Sequence, residues 1–211
     1  MKLFIFTDLH GNRHLLDHAG QNVADADAIV CAGDLTIFES KFAALLGHLG
    51  SMNRPTFIIP GNHEDPASLD CLCRKHPQLM PVHLRSTRYR NLLILGHGGG
   101  GFSHTSAEFR TVYAQFKKEA QDFRAAYPDG KILFLIHQPP YGTALDQIDD
   151  RHTGNHDYRD FILEASPDYV FCGHLHENAG VYDRLGESII LNPGPEGILL
   201  DAHQLADSKA F

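Results

Sequence analysis

The sequence predicts an α/β fold, and three observations carry that reading. Short apolar runs at 2–7, 28–32, 56–60, 131–136 and 169–172 have the length and residue content of buried strands. Segments with helical spacing separate them through the first half, and a β-α-β-α-β rhythm marks a layered α/β core. Each run also stops at residues able to bind a metal ion: Asp8-x-His10, Gly33-Asp34, Gly61-Asn62-His63, His137 and Gly173-His174-x-His176. In open α/β sheets the crevice beyond the carboxyl ends of the strands is where ligands bind. Residues spread from Asp8 to His176 can therefore meet at one sheet edge.

The elements follow in order. Asn12 is placed to cap a helix that reaches about residue 24. A second helix is expected over 38–49, and a third over 66–75, where Pro66 falls in the first turn and its missing N–H costs nothing. A strand at 92–96 empties into His97-Gly98-Gly99-Gly100-Gly101, whose glycines let the main chain approach another group closely. A long charged helix over 106–127 closes at Pro128-Asp129-Gly130, and another is expected at 156–165. Three β-rich stretches at 179–184, 187–191 and 197–202 are separated by turn signals, and a second sheet packed on the first would accommodate them. With no linker or repeat in view, 1–211 reads as one domain.

At 211 residues and 43% hydrophobic content, the chain can bury one substantial core. No run approaches the roughly 18 apolar residues of a membrane span. The run from Leu3 to Phe6 is too short for a signal-peptide core, so the expected location is cytoplasmic. A formal charge of −8 argues against a nucleic-acid or anionic-membrane partner. Two bound divalent cations would add about +4 where the chemistry sits, so an anionic substrate remains compatible. Cys31 and Cys172 end core strands and read as small hydrophobes. Cys71 and Cys73 lie two apart on a helix and do not share a face. Such cysteine usage fits a reducing compartment.

Asp8-x-His10 and His174-x-His176, on extended backbone, each point two side chains to the same side. A mixed imidazole and carboxylate set suits Mn²⁺, Fe²⁺ or Zn²⁺, whereas an all-oxygen set would favour Mg²⁺ or Ca²⁺. Singly, His137 reads as a local histidine, Asn62 as a turn residue and Asp34 as a cap or loop acid. Only the combination points to a metal centre.

The stretches Asp8-Leu9-His10-Gly11-Asn12, Gly33-Asp34-Leu35-Thr36, Gly61-Asn62-His63-Glu64 and Gly173-His174-Leu175-His176 resemble the calcineurin-like metallophosphoesterase superfamily. So do His137-Gln138-Pro139-Pro140-Tyr141-Gly142-Thr143, His152-Thr153-Gly154 and Asn192-Pro193-Gly194-Pro195, which look like its small single-domain prokaryotic members. The resemblance spans residues 1–195. It implies two mixed β-sheets packed as a sandwich flanked by helices, in four layers, α/β/β/α. It further implies one metal held by Asp8, His10, Asp34 and His176, and a second held by Asp34, Asn62, His137 and His174, with Asp34 bridging. The two divalent ions would be Mn, Fe, Zn or Ni.

His63 would then sit beside the scissile phosphate as a proton donor or transition-state stabiliser, with Glu64 a candidate to orient it. The implied reaction is hydrolysis of a small phosphodiester or phosphomonoester by a hydroxide shared between the ions. The alternative is a non-enzymatic protein-interaction scaffold on the same fold, which the intact ligand set and His63 count against. His97 and His152 are substrate-side candidates, on loops beyond strand ends, while His104 and His156 are left without an assigned role. His14, His18, His48, His76, His83 and His203 are expected on helix faces or loops without chemistry, and Arg159 in a helix-packing ion pair.

Overall fold

Strand and helix alternate through the first half, and the reason is visible in which face each side chain buries. In the computed structural model, which describes residues 1–202, β1 (Lys2–Phe6), β2 (Ala28–Cys31), β3 (Thr56–Ile58) and β4 (Leu79–Pro81) form a parallel sheet. Helices α1 (Arg13–Val23), α2 (Phe42–Ser51) and α3 (Pro66–Cys73) connect them. β5 (Arg85–Tyr89) opens a second sheet, antiparallel to β6 (Leu92–His97). α4 (Ala107–Ala126) leads into β7 (Lys131–Ile136), parallel to β6. A small antiparallel pair, β8 (Gln147–Ile148) and β9 (Arg151–His152), precedes α5 (His156–Ala165). β10 (Tyr169–Phe171), β11 (Tyr182–Leu185) and β12 (Ser188–Leu191) complete the second sheet, and β13 (Ile198–Asp201) pairs antiparallel with β1. The two main sheets run β13-β1-β2-β3-β4 and β11-β12-β10-β7-β6-β5.

Alternation along each strand sorts side chains into separate layers. Leu3, Ile5, Val30 and Phe57 meet Ile94, Leu133, Leu135 and Phe171 between the sheets. Phe4, Phe6, Ile29 and Cys31 turn the other way, onto Leu16, Leu46 and Leu49 of α1 and α2. Leu95, Phe134 and Val170 face Phe109, Phe116 and Phe161 of α4 and α5. The result is α/β/β/α, two mixed sheets in a sandwich with helices outside. Strands covered on both faces carry no polar alternation, which is why they read as unbroken apolar runs.

Several details depart from the sequence reading. α2 begins at Phe42 rather than 38, because Phe38, Glu39 and Lys41 hold φ of 47°, 60° and 58°, in the left-handed region that a right-handed helix cannot contain. Asn12 precedes α1, yet its side chain makes no capping bond. The late strands also divide between sheets. β11 and β12 join the second sheet, whereas β13 returns to the first. The 192–195 turn hands the chain across: Asn192 N–H bonds Val181 O on one side, and Gly194 O accepts Thr7 N–H on the other.

Arg159 donates to the carbonyls of Tyr141 (2.9 Å) and Gly142 (3.4 Å), so it ties down the loop after β7 instead of forming the expected ion pair. Cys31, Cys73 and Cys172 are buried and free; Cys71 is exposed and free. Among the described residues no helix is long and apolar enough to cross a membrane. His203 and the last residues of the expected domain lie outside the described residues.

Candidate metal centre

The loops after β1, β2, β3, β7 and β10 bring the predicted residues together. Asp8 Oδ1 lies 3.9 Å from His10 Nε2 and 3.6 Å from His176 Nε2. Asp34 Oδ2 lies 3.3 Å from His137 Nε2 and 3.8 Å from His10 Nε2. Asn62 Oδ1 is 3.2 Å from His137 Nε2 and 2.8 Å from His174 Nδ1. Three overlapping groups, Asp8–His10–His176, Asp8–Asp34–His137 and His10–Asp34–His63, each hold their ligand atoms within 4.8 Å of one another. Asp34 belongs to two of them and is buried, which places its carboxylate centrally.

This convergence is bought with backbone strain. Asp8, His10, Asp34 and His174 have φ of 53°, 49°, 49° and 71°, although none is glycine. Such residues cost about 1–3 kcal/mol each and persist where surrounding structure enforces them, typically at functional sites. Neighbouring glycines make the close approach possible. A Cβ on Gly61 would overlap Asp34 Oδ1, and one on Gly173 would overlap Thr7 Oγ1 and Asp8 Oδ2. The carboxylates also lock the facing loops: His63 N–H donates to Asp34 Oδ1 at 3.0 Å, and His174 N–H to Asp8 Oδ2 at 3.0 Å.

The donor set fits divalent cations. His137 Nδ1 meets the Ala32 carbonyl at 2.9 Å, a contact that keeps a proton on Nδ1 and aims Nε2 inward. His10 does the same through the Thr36 carbonyl at 3.3 Å. Its Nε2 then faces His176 Nε2 at 2.8 Å, two imidazole nitrogens with at most one proton between them. Burial pulls the His174 imidazole down to about 4, helped by the charge of His137, so it is neutral near pH 7. Burial opposes charge on His137 as well, but its hydrogen bond to Asp34 and the charges of Asp34 and Asp8 hold it up at about 9, so a cation entering beside Asp34 would take the place of the Nε2 proton. Burial raises the Asp34 carboxyl, and His137 and His63 more than reverse that. A surplus of inward lone pairs from imidazole, carboxylate and amide is the composition that Mn, Fe, Zn or Ni accept.

Glu64 has a role different from the expected one. It does not orient His63: its Oε2 accepts from Asp34 N (3.1 Å) and Gly61 N (2.9 Å), and its Oε1 from Thr36 N (2.8 Å) and Thr36 Oγ1 (2.7 Å). His63 Nδ1 is buried without a partner. Glu64 thus staples the Asp34 loop to the Asn62 loop. The Gly61-x-x-Glu64 spacing, which returns an acid to an N–H three residues earlier, was the available signal. Glu64→Gln should leave two of these donors facing an NH₂ group and destabilise the fold by about 2–4 kcal/mol in urea unfolding. A loss under about 0.5 kcal/mol would refute the staple.

The other candidate histidines fall in two places. His97 is only 2% exposed; it packs on Phe109, with Nδ1 2.6 Å from the Tyr158 hydroxyl and Nε2 3.3 Å from Glu108. Burial pushes its imidazole down to about 3. It faces the helix layer rather than the cleft, because β6 alternation sends it with Leu93 and Leu95 towards α4. His83 reaches the same Glu108 at 3.6 Å. His152 binds Asp146 at 2.7 Å and lies between Arg151 and Thr153, which line a cavity of about 580 Å³ with Phe102. His156 stacks on Tyr141 at 3.9 Å, and His104 meets the Gly154 carbonyl at 3.3 Å.

Residues 1–178 match the family model described as calcineurin-like phosphoesterase. The chain belongs to that family. A curated relative is the glycerophosphodiester phosphodiesterase GpdQ of Enterobacter lignolyticus (strain SCF1), 27% identical over 191 residues. That alignment takes in 83% of this chain and 65% of the relative, so the phosphoesterase chain spans under two thirds of the relative's length. Among solved structures, TT1561 of Thermus thermophilus superposes with a TM-score of 0.71 at 21% identity, over 95% of this chain and 93% of that one. A dimetal phosphatase from Danio rerio gives 0.64 at 10% identity, over 91% and 86%. At these identities the likeness establishes the shared phosphoesterase fold.

Proposed function

We propose that this phosphoesterase is a dinuclear-metal hydrolase of a small phosphodiester or phosphomonoester. The observation that carries the reading is the meeting of Asp8, His10, Asp34, Asn62, His137, His174 and His176 from five strand tips. Asp8, His10, Asp34 and His176 would hold one ion, and Asp34, Asn62, His137 and His174 the other, with Asp34 shared. When bound, the pair supplies a water acidic enough to attack phosphorus near neutral pH and offsets charge on the phosphoryl oxygens.

The chain's own groups do the rest. The carboxylates of Asp8 and Asp34 fix the facing loops by accepting from the backbone N–H of His174 and His63, so ligand positions survive substrate exchange. His63 Nε2, 3.8 Å from Asp34 Oδ2, sits at the margin of the cluster with its ring against Phe38. From there it protonates the departing alcohol oxygen, or stabilises its growing charge. Of the two ester types we favour the diester, which the phosphodiesterase activity in the relative's name supports. The four free cysteines suit a reducing compartment, and we place the reaction in the cytoplasm.

Bis(4-nitrophenyl) phosphate with Mn²⁺ tests the reading, with metal content measured on the same sample. Mn²⁺-dependent release of nitrophenolate is expected from protein carrying about two ions per chain. A fully metallated sample inert towards this diester and towards 4-nitrophenyl phosphate would refute it.

A further inference from the structure

Two phenylalanines stand in solvent against histidines of the centre. Phe38 is 79% exposed, and its ring centroid lies 4.5 Å from that of His63. Phe102 is 63% exposed and lies 4.8 Å from the ring of His174. Neither ring fills a core, so packing does not account for either position.

Both loops are built to hold these rings out. Phe38 itself carries φ of 47°, a conformation that bulky residues avoid, and Glu39 beside it carries 60°. The loop is fastened by Glu39, whose N–H donates to Thr36 Oγ1 and whose carboxylate accepts from Asp65 N at 2.9 Å and Ser68 Oγ at 3.3 Å. Phe102 follows Gly99, Gly100 and Gly101, with φ of 76°, 105° and 112°, a path open only to glycine. Gly99 N–H is anchored on the Pro60 carbonyl at 2.9 Å. Beyond the ring, the Ser103 carbonyl accepts from Gln138 at 2.9 Å and Asn155 at 3.2 Å. The glycine run thus delivers Phe102 to the edge of His174.

Phe102 also walls the cavity of about 580 Å³ lined by Ile148, Asp149, Asp150, Arg151 and Thr153. One face is an aromatic ring, while the surround offers both hydrogen-bond donors and acceptors. That combination matches a planar heteroaromatic group, apolar on its face and polar at its edge. A small polyol would leave the apolar rings wet and gain nothing from them.

We infer that Phe38 and Phe102 are substrate-binding residues, and that the favoured phosphoester carries an aromatic ring on its organic arm. The inference rests on the proposed phosphoester site, but its test does not require turnover. Because a P–C bond does not hydrolyse, binding of 2-phenylethylphosphonate and ethylphosphonate to Mn²⁺-loaded protein is compared by calorimetry. The aromatic ligand should bind about 10-fold tighter to the parent chain. That preference should fall to about 2-fold or less in the double variant Phe38→Ala/Phe102→Ala, and Phe38→Tyr/Phe102→Tyr should restore it. Equal affinities in the parent, an unchanged preference in the alanine variant, or no binding of either phosphonate would overturn the inference. Aromatic preference in a protein that hydrolyses no ester would uphold it while sinking the hydrolase reading.

Discussion

Asp34→Asn is expected to empty the centre and abolish hydrolysis. The buried carboxylate lies 3.3 Å from His137 and 3.8 Å from both His10 and His63, so it stands between histidines from three different loops. An amide keeps the shape but removes the negative charge and offers one oxygen instead of two, so it cannot serve both ions. Elemental analysis should show loss of both metals, and turnover should fall by about 10³-fold or more, since the acidic water is lost with them. A fully metallated variant with parental turnover would remove Asp34 from the bridging role.

His63→Ala should separate chemistry from assembly. Its ring touches Phe38 and His10 without a hydrogen bond to either, and the backbone N–H bond to Asp34 survives the substitution. Metal content should stay at the parental level while turnover falls about 10²–10⁴-fold, the range for loss of a general acid. The loss should be largest for alkyl leaving groups and much smaller for nitrophenolate, which departs without a proton. Falling metal content would make His63 a ligand, an outcome the 3.8 Å distance to Asp34 Oδ2 makes worth measuring.

Much of this centre is legible in the sequence because strands buried on both faces stand out as apolar runs, and the polar residues ending them stand out in turn. Asp8, Asp34, Asn62, His137 and His174 all follow such runs, and the fold brings them within ligand distance. What escapes is anything decided by backbone position across loops. Glu64 sits next to His63 in the chain, but its carboxylate is claimed by N–H groups of Gly61, Asp34 and Thr36, and the placement of the last two depends on how β2 and β3 pair. The sheet that β13 joins is equally hidden: both inner faces are apolar, so Ile198 and Leu200 would satisfy either. Phe38 reads as the start of a helix because a left-handed φ at a non-glycine residue leaves no compositional trace. His97 is the last residue of β6, opposite Ile136, whereas His137 stands one residue further along, and alternation sends the two histidines opposite ways.

The register that sets Leu3 opposite Leu200 also imposes a timetable on synthesis. β1, whose following loop carries Asp8 and His10, is made long before β13, so one flank stays open until the segment at Ile198–Asp201 has emerged. Pairings this remote along the chain close slowly. A nascent chain stalled before residue 198 should therefore hold β1, and the loop after it, less firmly than the finished chain does.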